Sequence, residues 1–302
     1  MTQVGHTAIV AHDAGAANHI IAWLAGGHLP DNHYALCLQG PAASIYKTQI
    51  GDFEYRDYKD AMTGASCLLS GSGWSSDLEH NARGYAANNT IHSIAVLDHW
   101  VNYPDRFIRN QNTILPDALW VTDQYAYSLA SQQFSDIVVQ QRHNAFLERQ
   151  LKEIKQQQKS RSPAADSTCL FLMEPIRLPW NRSEKPGEIE ALDYFLNHYR
   201  ALKLQDFKRI IIRPHPSDPS GKYQPYLTHY YSAIDIDVNE SDSLSTLMAS
   251  ADIIVGCQSY AMVIGLALGK TVVSALPDYA PPCPLPHKNI VCLAHCVASG
   301  TA

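Results

Sequence analysis

Ile210-Ile211-Ile212-Arg213-Pro214-His215-Pro216 is the segment that decides the fold class of this chain. Its run of β-branched apolar residues predicts a strand buried on both faces, which ends at the Arg-Pro-His-Pro loop. The segment Ile253-Ile254-Val255-Gly256-Cys257-Gln258-Ser259-Tyr260 has the same pattern and leads into a predicted helix. Buried strands that end in polar loops and alternate with helices are typical of parallel α/β sheets.

Strand and helix patterns alternate on both sides of these segments, at intervals of about thirty residues. Strands are predicted at 7–11, 34–38, 67–69, 93–97 and 118–121, and again at 168–173, 209–212, 234–238, 253–255 and 271–274. A polar stretch rich in Gln and Lys, followed by Ser160-Arg161-Ser162-Pro163, separates the two series. We therefore predict two Rossmann-like domains, residues 1–155 and 156–302, that face each other across a cleft.

Composition limits the classes of function. The chain has 302 residues, of which 46% are hydrophobic and 17% charged, as expected for a well-cored protein. A net charge of −6 provides no basic field for nucleic acid, so no nucleic-acid partner is predicted. The scattered cysteines contain no CxxC motif, so no metal site is predicted. The start of the chain does not resemble a signal segment, and no run approaches the ~18 apolar residues of a membrane span, which predicts a cytoplasmic protein.

Two loops of the second half are predicted to bind a phosphate. In open α/β sheets, ligands bind beyond the carboxyl ends of the strands, where the strand order switches. Arg213 and His215 follow one strand, while Ser259 and Tyr260 open the helix after another. A cation, an imidazole, a hydroxyl and a helix N-terminus together suit a phosphate group. The alternative is that His215 and Pro216 only form a turn.

The loop after the first strand, His12-Asp13-Ala14-Gly15-Ala16-Ala17-Asn18, lacks the dinucleotide fingerprint GxGxxG. Its small residues would still let a substrate approach the backbone, with His12 and Asn18 as predicted substrate contacts. Asp13 is the first candidate for a general base that deprotonates an acceptor hydroxyl. Alternatively, Asp13 only caps the following helix.

Two further loops of the first half carry candidate residues. Within Ser70–Glu79, Ser72 and Glu79 are predicted to contact a polar ligand, although the segment could equally be a flexible Gly-Ser connection. In the segment after the fourth strand, Asp98 is another candidate base and His99 a candidate substrate contact. The alternative for this segment is a buried, hydrogen-bonded corner.

In the second half, Glu174 and Arg177 follow the first strand of the series. Glu174 is a further candidate base beside Asp13 and Asp98. Arg177 is predicted to contact the substrate from the same loop.

The second half also resembles a known family over residues 166 to about 276. Its order is strand, Arg-x-His-Pro, acidic strand, a helix running into Leu-Met-x-x-Ala-Asp-Ile-Ile-Val-Gly, a Ser loop, helix, Gly-Lys and strand. This order resembles the carboxyl domain of GT-B glycosyltransferases that make bacterial capsule and surface polysaccharides. It is most similar to the polysialyltransferase and Kdo-transferase type, whose His-Pro and Ser motifs bind the nucleotide phosphate, which implies His215, Pro216 and Ser259 here. The first half resembles the family by architecture, and His12-Asp13-Ala14-Gly15 partly matches its acidic-acidic-Gly motif.

The resemblance implies a metal-independent glycosyltransferase that moves an acidic sugar from a CMP donor to a glycan or lipid-linked acceptor. Beyond this nucleotide-sugar co-substrate no cofactor is expected, and peripheral association with an assembly complex at the inner membrane fits the same family. Three alternatives stay open. They are a CDP-glycerol-type phosphotransferase, a non-hydrolysing nucleotide-sugar epimerase, and a non-catalytic scaffold that binds sugar nucleotides.

Overall fold

The computed structural model describes residues 5–29, 33–159, 167–180, 184–204, 207–227 and 234–300. The chain divides into two compact units, the first ending at Arg149 and the second beginning at Gln150. Each unit contains a six-stranded sheet whose paired strands all run parallel, with helices between the strands. The predicted α/β class is therefore confirmed, whereas the cleft predicted between two domains stays a prediction. Part of the polar segment expected to separate the halves lies outside the described residues.

The first unit is built on an alternation of strands and helices. Its elements are β1 His6–Ala11, α1 Ala14–Ala25, β2 Tyr34–Leu38, α2 Gly40–Gln49, α3 Tyr58–Met62, β3 Ala65–Ser70, α4 Leu78–Asn88, β4 His92–Val96, β5 Ile108–Arg109, β6 Asn112–Thr113, β7 Ala118–Val121, α5 Gln124–Gln133 and β8 Val138–Gln141. Helix α6, Ala145–Lys159, then continues into the second unit.

The sheet of the first unit has the strand order β2-β1-β3-β4-β7-β8. The chain moves to one side of β1 to make β2 and to the other side to make β3, so the order switches between β1 and β3. The loops after these two strands, His12–Asp13 and Gly71–Ser75, therefore lie next to each other. A core of apolar side chains such as Ile9, Ile20 and Trp23 holds α1 against this sheet.

The second unit repeats the architecture with a different strand order. Its further elements are β9 Thr168–Leu172, α7 Gly187–His198, β10 Arg209–Arg213, α8 Gln224–Leu227, β11 Asp235–Val238, α9 Leu244–Ser250, β12 Ile253–Gly256, α10 Tyr260–Ala267, β13 Thr271–Ser274, β14 Val291–Cys292 and α11 Leu293–Gly300. The order β11-β10-β9-β12-β13-β14 switches between β9 and β12, and Phe171, Phe195 and Ile212 pack in its core.

Several elements differ from the sequence-based expectation. Strands β8 and β14 and helix α11 were not predicted, and α7 is followed by a 3₁₀ turn at Tyr199–Leu202. Strand β8 is largely exposed at an edge of its sheet, and β14 has only two residues, so neither carries a continuous apolar pattern. No helix in the described ranges combines the length and apolar character that a membrane span requires.

Candidate functional site

The Arg-Pro-His-Pro loop after β10 is fixed by a buried carboxylate three residues beyond His215. The Asp218 side chain has no exposed surface and accepts hydrogen bonds from the His215 backbone N–H at 2.9 Å and from the Tyr223 hydroxyl at 2.6 Å. Lys222 Nζ lies 2.9 Å from the same side chain. Burial acts to raise the pKa of Asp218, but these donors hold it well below its usual range. The loop is thus held rigidly around an anionic centre.

His215 is held in one protonation form by its own loop. The Ser217 backbone N–H donates to Nδ1 of His215 at 3.1 Å, and Ser217 Oγ lies 2.7 Å from the same nitrogen. Because a backbone N–H can only donate, Nδ1 must be the acceptor and Nε2 must carry the ring proton. Burial lowers the pKa of His215, which favours this neutral form. His215 can therefore donate a hydrogen bond from Nε2 to a ligand oxygen.

A cavity of about 420 Å³ lies elsewhere in the first unit, whereas the cavity at the His-Pro loop measures about 280 Å³. The smaller cavity is lined by Arg213, the His-Pro loop, and Glu240 and Asp242 beyond β11. Arg213 Nε is buried and has no hydrogen-bond partner within the described ranges, and burial lowers its pKa. A guanidinium with an unpaired N–H and a neutral imidazole donor in the wall of one cavity suit an anionic oxygen.

Arg177, predicted to contact the substrate, is instead tied into an ion network. Its guanidinium bonds to the buried carboxylate of Glu188 and to Asp218, at 2.6 Å from the latter. Lys222 binds the same two carboxylates. Two cations and two anions therefore compensate each other behind the His-Pro loop, and Arg177 supports the loop in this structure.

Glu174 occupies the switch point between β9 and β12. Its carboxylate accepts the backbone N–H groups of Cys257, Gln258 and Ser259, with nitrogen–oxygen distances of 2.7–3.0 Å. Burial raises the pKa of Glu174, and the three N–H donors oppose that rise. A base must keep an oxygen lone pair directed at the substrate, so these bonds do not favour the catalytic role predicted for Glu174.

Ser259 is the N-cap residue of α10, at the start of the helix that the sequence predicted. The Ser259 Oγ lies near the Glu174 carboxyl, where it lowers the pKa of that group. Within the described ranges this oxygen makes no contact with the geometry of a hydrogen bond. Arg213 and Ser259 follow strands separated by one strand, which places their backbones about 10 Å apart. Ser259 and Tyr260 are not among the described residues that line the His-Pro cavity. Their predicted phosphate role stays a prediction.

In the first unit, Asp13 stands at the N-cap position of α1 but does not cap the helix. Its carboxylate makes no bond to the helix N–H groups. It lies instead 2.7 Å from His12 Nδ1 and accepts the Ser75 hydroxyl at 3.1 Å and the Ser75 N–H at 3.3 Å. The side chain is 21% exposed. The structure thus orients a partly accessible carboxylate at the switch between β1 and β3, which plain capping does not explain.

Asp98 is paired with Arg106 at 2.6 Å and lies against the first turn of α1. Burial acts to raise its pKa, but the Arg106 guanidinium brings the net pKa below the usual range. Arg106 also donates to Ser72 Oγ at 3.2 Å, and Ser72 donates to the Val96 carbonyl. Asp98 is therefore a fixed anion, and Ser72, with no exposed surface, leaves no face for the predicted ligand contact.

Glu79 is fully buried and supports the His12 loop. Its Oε1 accepts the His12 backbone N–H at 2.9 Å, while Oε2 has no hydrogen-bond partner in the described part of the chain. Burial raises the pKa of Glu79 to about 7 against the effect of the His12 N–H. Asn18 and His99, the other predicted substrate contacts of this unit, are half-buried, and their role stays a prediction. Glu79 thus supports the loop through the His12 N–H, and its predicted ligand contact stays a prediction.

Sequence reasoning missed Ser75, Arg106 and Asp218 as partners of the candidate residues. Asp218 carried a readable signal, because an acid three residues after His215 can accept the loop's own N–H. The pairs Ser75–Asp13 and Arg106–Asp98 form only in the folded chain, and the local sequence gives no sign of them. Among the described residues, no group of three or more His, Cys, Asp or Glu could hold a metal ion.

Comparison with known proteins gives a likeness of fold. The chain is similar to a UDP-GlcNAc 2-epimerase from Neisseria meningitidis, with 13% identity, a TM-score of 0.58, and coverage of 89% of this chain and 82% of that one. A putative UDP-N-acetylglucosamine 2-epimerase from Listeria monocytogenes gives 10% identity, a TM-score of 0.57, and coverage of 92% and 80%. The wall teichoic acid polymerase TagF gives 13% identity, a TM-score of 0.47, and coverage of 89% and 70%.

No protein-family profile matches the chain, and no curated protein matches it. At these identities the epimerases show the fold that the chain shares, which is of the GT-B kind. The activity has to be argued from the residues at the two switch points.

Proposed function

We propose that this chain is a sugar-nucleotide enzyme that transfers a sugar from a nucleotide donor to an acceptor hydroxyl. The observation that carries the proposal is the chemistry of the His-Pro loop in the second unit. There Arg213, whose Nε has no hydrogen-bond partner in the described ranges, lines a cavity with a neutral His215 whose Nε2 must be a donor. Both groups suit a phosphate oxygen.

The donor's phosphate develops negative charge as the bond between the anomeric carbon and the phosphate oxygen breaks. Preorganised donors that face this charge stabilise the transition state without any rearrangement. Arg213 and His215 are such donors, because Asp218 and the surrounding ion network fix their loop. The electron pair of the broken bond remains on the nucleotide phosphate.

Asp13 is the carboxylate that we propose as the general base. Asp98 and Glu174 are committed to Arg106 and to backbone N–H groups, whereas Asp13 is oriented by His12 and Ser75 without capping its helix. In the proposed reaction Asp13 accepts the proton of the acceptor hydroxyl as the hydroxyl oxygen attacks the anomeric carbon. Its removal should affect turnover more than nucleotide affinity.

The proposed donor is an acidic sugar linked to CMP, as the resemblance to surface-polysaccharide transferases implies. The second candidate is an epimerase, which the fold likeness to UDP-GlcNAc 2-epimerases keeps open. Incubation with a nucleotide sugar and no acceptor separates the two. Interconversion of the sugar under those conditions would establish the epimerase and refute the transferase.

The test of the phosphate site is a thermal-shift panel with CMP, CDP, UDP and GDP. A nucleotide that binds only the folded chain raises its Tm by mass action. His215→Ala should weaken the binding of that nucleotide by about tenfold or more, since it removes a hydrogen bond to a charged group. His295→Ala, an exposed imidazole on α11, is the matched control.

Asp13→Asn completes the test. It should keep the Tm shift of the nucleotide but lower kcat by about 10²–10⁴-fold. A CMP response supports the proposed donor, and a response to UDP alone would replace it. If none of the four nucleotides shifts the Tm, or if His215→Ala leaves the shift unchanged, the phosphate site is wrong.

A further inference from the structure

The cavity of about 420 Å³ in the first unit shares no lining residue with the His-Pro cavity. It is a groove along one face of α4, closed on the other side by the β5–β6 hairpin and by Tyr58 of α3. The helix contributes Asp77, His80, Asn81, Gly84, Tyr85 and Asn88 to its wall. Because an α-helix rises 1.5 Å per residue, these positions extend over roughly 16 Å. The groove therefore matches an elongated ligand.

The lining is polar but carries no unbalanced charge. Arg109 Nε lies 3.3 Å from Asp77 Oδ1, so the cation and the anion in the wall are paired. His80 is buried, and burial together with Arg83 and Arg109 lowers its pKa, which keeps it neutral at pH 7. The remaining polar groups are amides and phenols, supplied by Asn81, Asn88, Asn110, Asn112, Tyr58 and Tyr85. Such a wall offers many hydrogen bonds without attracting an ion.

A buried nitrogen without a hydrogen-bond partner indicates that the groove is built for a ligand. His80 is 5% exposed, and its Nδ1 finds no hydrogen-bond partner among the described residues, although a buried polar atom of this kind normally has one. The hairpin that closes the groove turns at Asn110 and Gln111, both with positive φ, of 47° and 64°. Both values are those that the type I′ turn of a two-residue hairpin requires, so this turn defines the wall of the groove.

We propose that this groove binds a chain of uncharged sugars. A sugar ring presents hydroxyls at its rim, which amides can bond, and C–H faces, which pack on phenol rings. Tyr58 and Tyr85 provide two such rings, with centroids 6.1 Å apart in an edge-to-face pair. Along α4 the phenol of Tyr85 lies between the amides of Asn81 and Asn88, so both kinds of contact occur within the length of the groove.

The groove is linked to the Asp13 loop through Arg109. Its Nη2 donates to the Gly73 carbonyl at 2.7 Å, and a Cβ at Gly73 would lie only 2.0 Å from Asp13 Oδ2. One loop thus separates the Asp77 and Arg109 end of the groove from the candidate base. The assignment of the bound sugar chain as the acceptor rests on the proposed function, whereas the groove itself does not.

The experiment is calorimetric titration of the full chain with chitotetraose, cellotetraose and maltotetraose, and with a tetramer of sialic acid as the anionic probe. At least one neutral tetrasaccharide should bind. The double variant with Tyr58→Ala and Asn88→Ala should bind that tetrasaccharide about tenfold or more weakly, because each change removes a contact worth about 1 kcal/mol. Gln132→Ala, an exposed amide on α5, is the control that should not change the affinity.

Circular dichroism and the Tm establish that the double variant is folded. If no neutral tetrasaccharide binds, if only the sialic acid tetramer binds, or if the double variant keeps full affinity, the assignment is overturned. The nucleotide panel is read on the same variants. If a tetrasaccharide binds and no nucleotide shifts the Tm, the proposed sugar-binding groove stands and the proposed transferase is refuted. If a nucleotide shifts the Tm and no tetrasaccharide binds, only the sugar-binding groove is refuted.

Discussion

Three carboxylates at the switch points differ in what surrounds them, and this difference decides which one can act as a base. Asp98 lies against the first turn of α1 and pairs with Arg106, while Glu174 accepts N–H groups at the loop before α10. The charge of Asp98 is thus compensated by a guanidinium, and that of Glu174 by three backbone N–H donors. The oxygens of these two carboxylates are therefore engaged by groups of the protein itself. Asp13 is held by the neighbouring His12 and by Ser75, and among the described residues it pairs with no guanidinium.

Glu79 makes a residue-scale prediction about pH. Its pKa is raised to about 7 in the folded chain, mainly by burial, from an ordinary value of 4.5. A carboxyl with a raised folded pKa contributes stability that is complete below pH 4.5 and is lost as the pH rises through 7. The free energy of unfolding should therefore fall by about 3 kcal/mol between pH 4.5 and 8 from this group. Chemical denaturation at several pH values measures it.

Glu79→Gln should remove this part of the pH dependence, since the amide does not titrate. Glu54→Gln changes an exposed carboxylate paired with Arg56 and should leave the dependence as it is. An unchanged slope in Glu79→Gln would show that the buried carboxyl does not titrate in this range.

At the scale of elements, the junction between β1 and α1 depends on a glycine that touches a neighbouring strand's loop. A Cβ added at Gly15 would lie 1.6 Å from Asp98 Oδ2 and 2.6 Å from its Cγ. Gly15→Ala should therefore displace Asp98 from Arg106 or move α1, and destabilise the fold by about 1–3 kcal/mol. Thermal or chemical denaturation measures the loss.

The control for this substitution is Gly300→Ala, where an added Cβ meets no atom within 4 Å. Equal stability of Gly15→Ala and the parent chain would mean that Asp98 does not lie against α1. The same variant should also lower transfer activity if the Asp13 loop depends on this junction.

The elements that could be predicted were those with continuous apolar runs. Strands β7 and β12 follow from such runs, and the edge strand β11 follows from its alternation of polar and apolar residues. Strands β8 and β14 have neither pattern and are defined by their neighbours. The same limit applies to the site. The loop positions of His215 and Asp13 follow from their place after strands, but the pairing of Asp13 with Ser75 spans 62 residues and has no local signal. Tertiary contacts of that kind determine which partners each candidate carboxylate has, so the sequence alone does not distinguish the candidates.

At the scale of the molecule, each unit has its own apolar core around its own parallel sheet. The phosphate-binding groups that we propose all belong to the second unit. A nucleotide at about 100 times its Kd should raise the unfolding free energy of the unit that holds it by about 2.7 kcal/mol. Hydrogen exchange followed by mass spectrometry can assign this gain to segments of the chain.

The expected result is slower exchange in peptides that cover Arg213–Asp218 and the loop before α10, because bound phosphate restricts the opening of those segments. His215→Ala should abolish the effect at the same nucleotide concentration, and His295→Ala should retain it. Slower exchange confined to peptides of the first unit would place the nucleotide at the Asp13 switch point instead. In that case the roles proposed for the two units would have to be exchanged, with Arg106 and Arg109 as the nearest cations to the ligand.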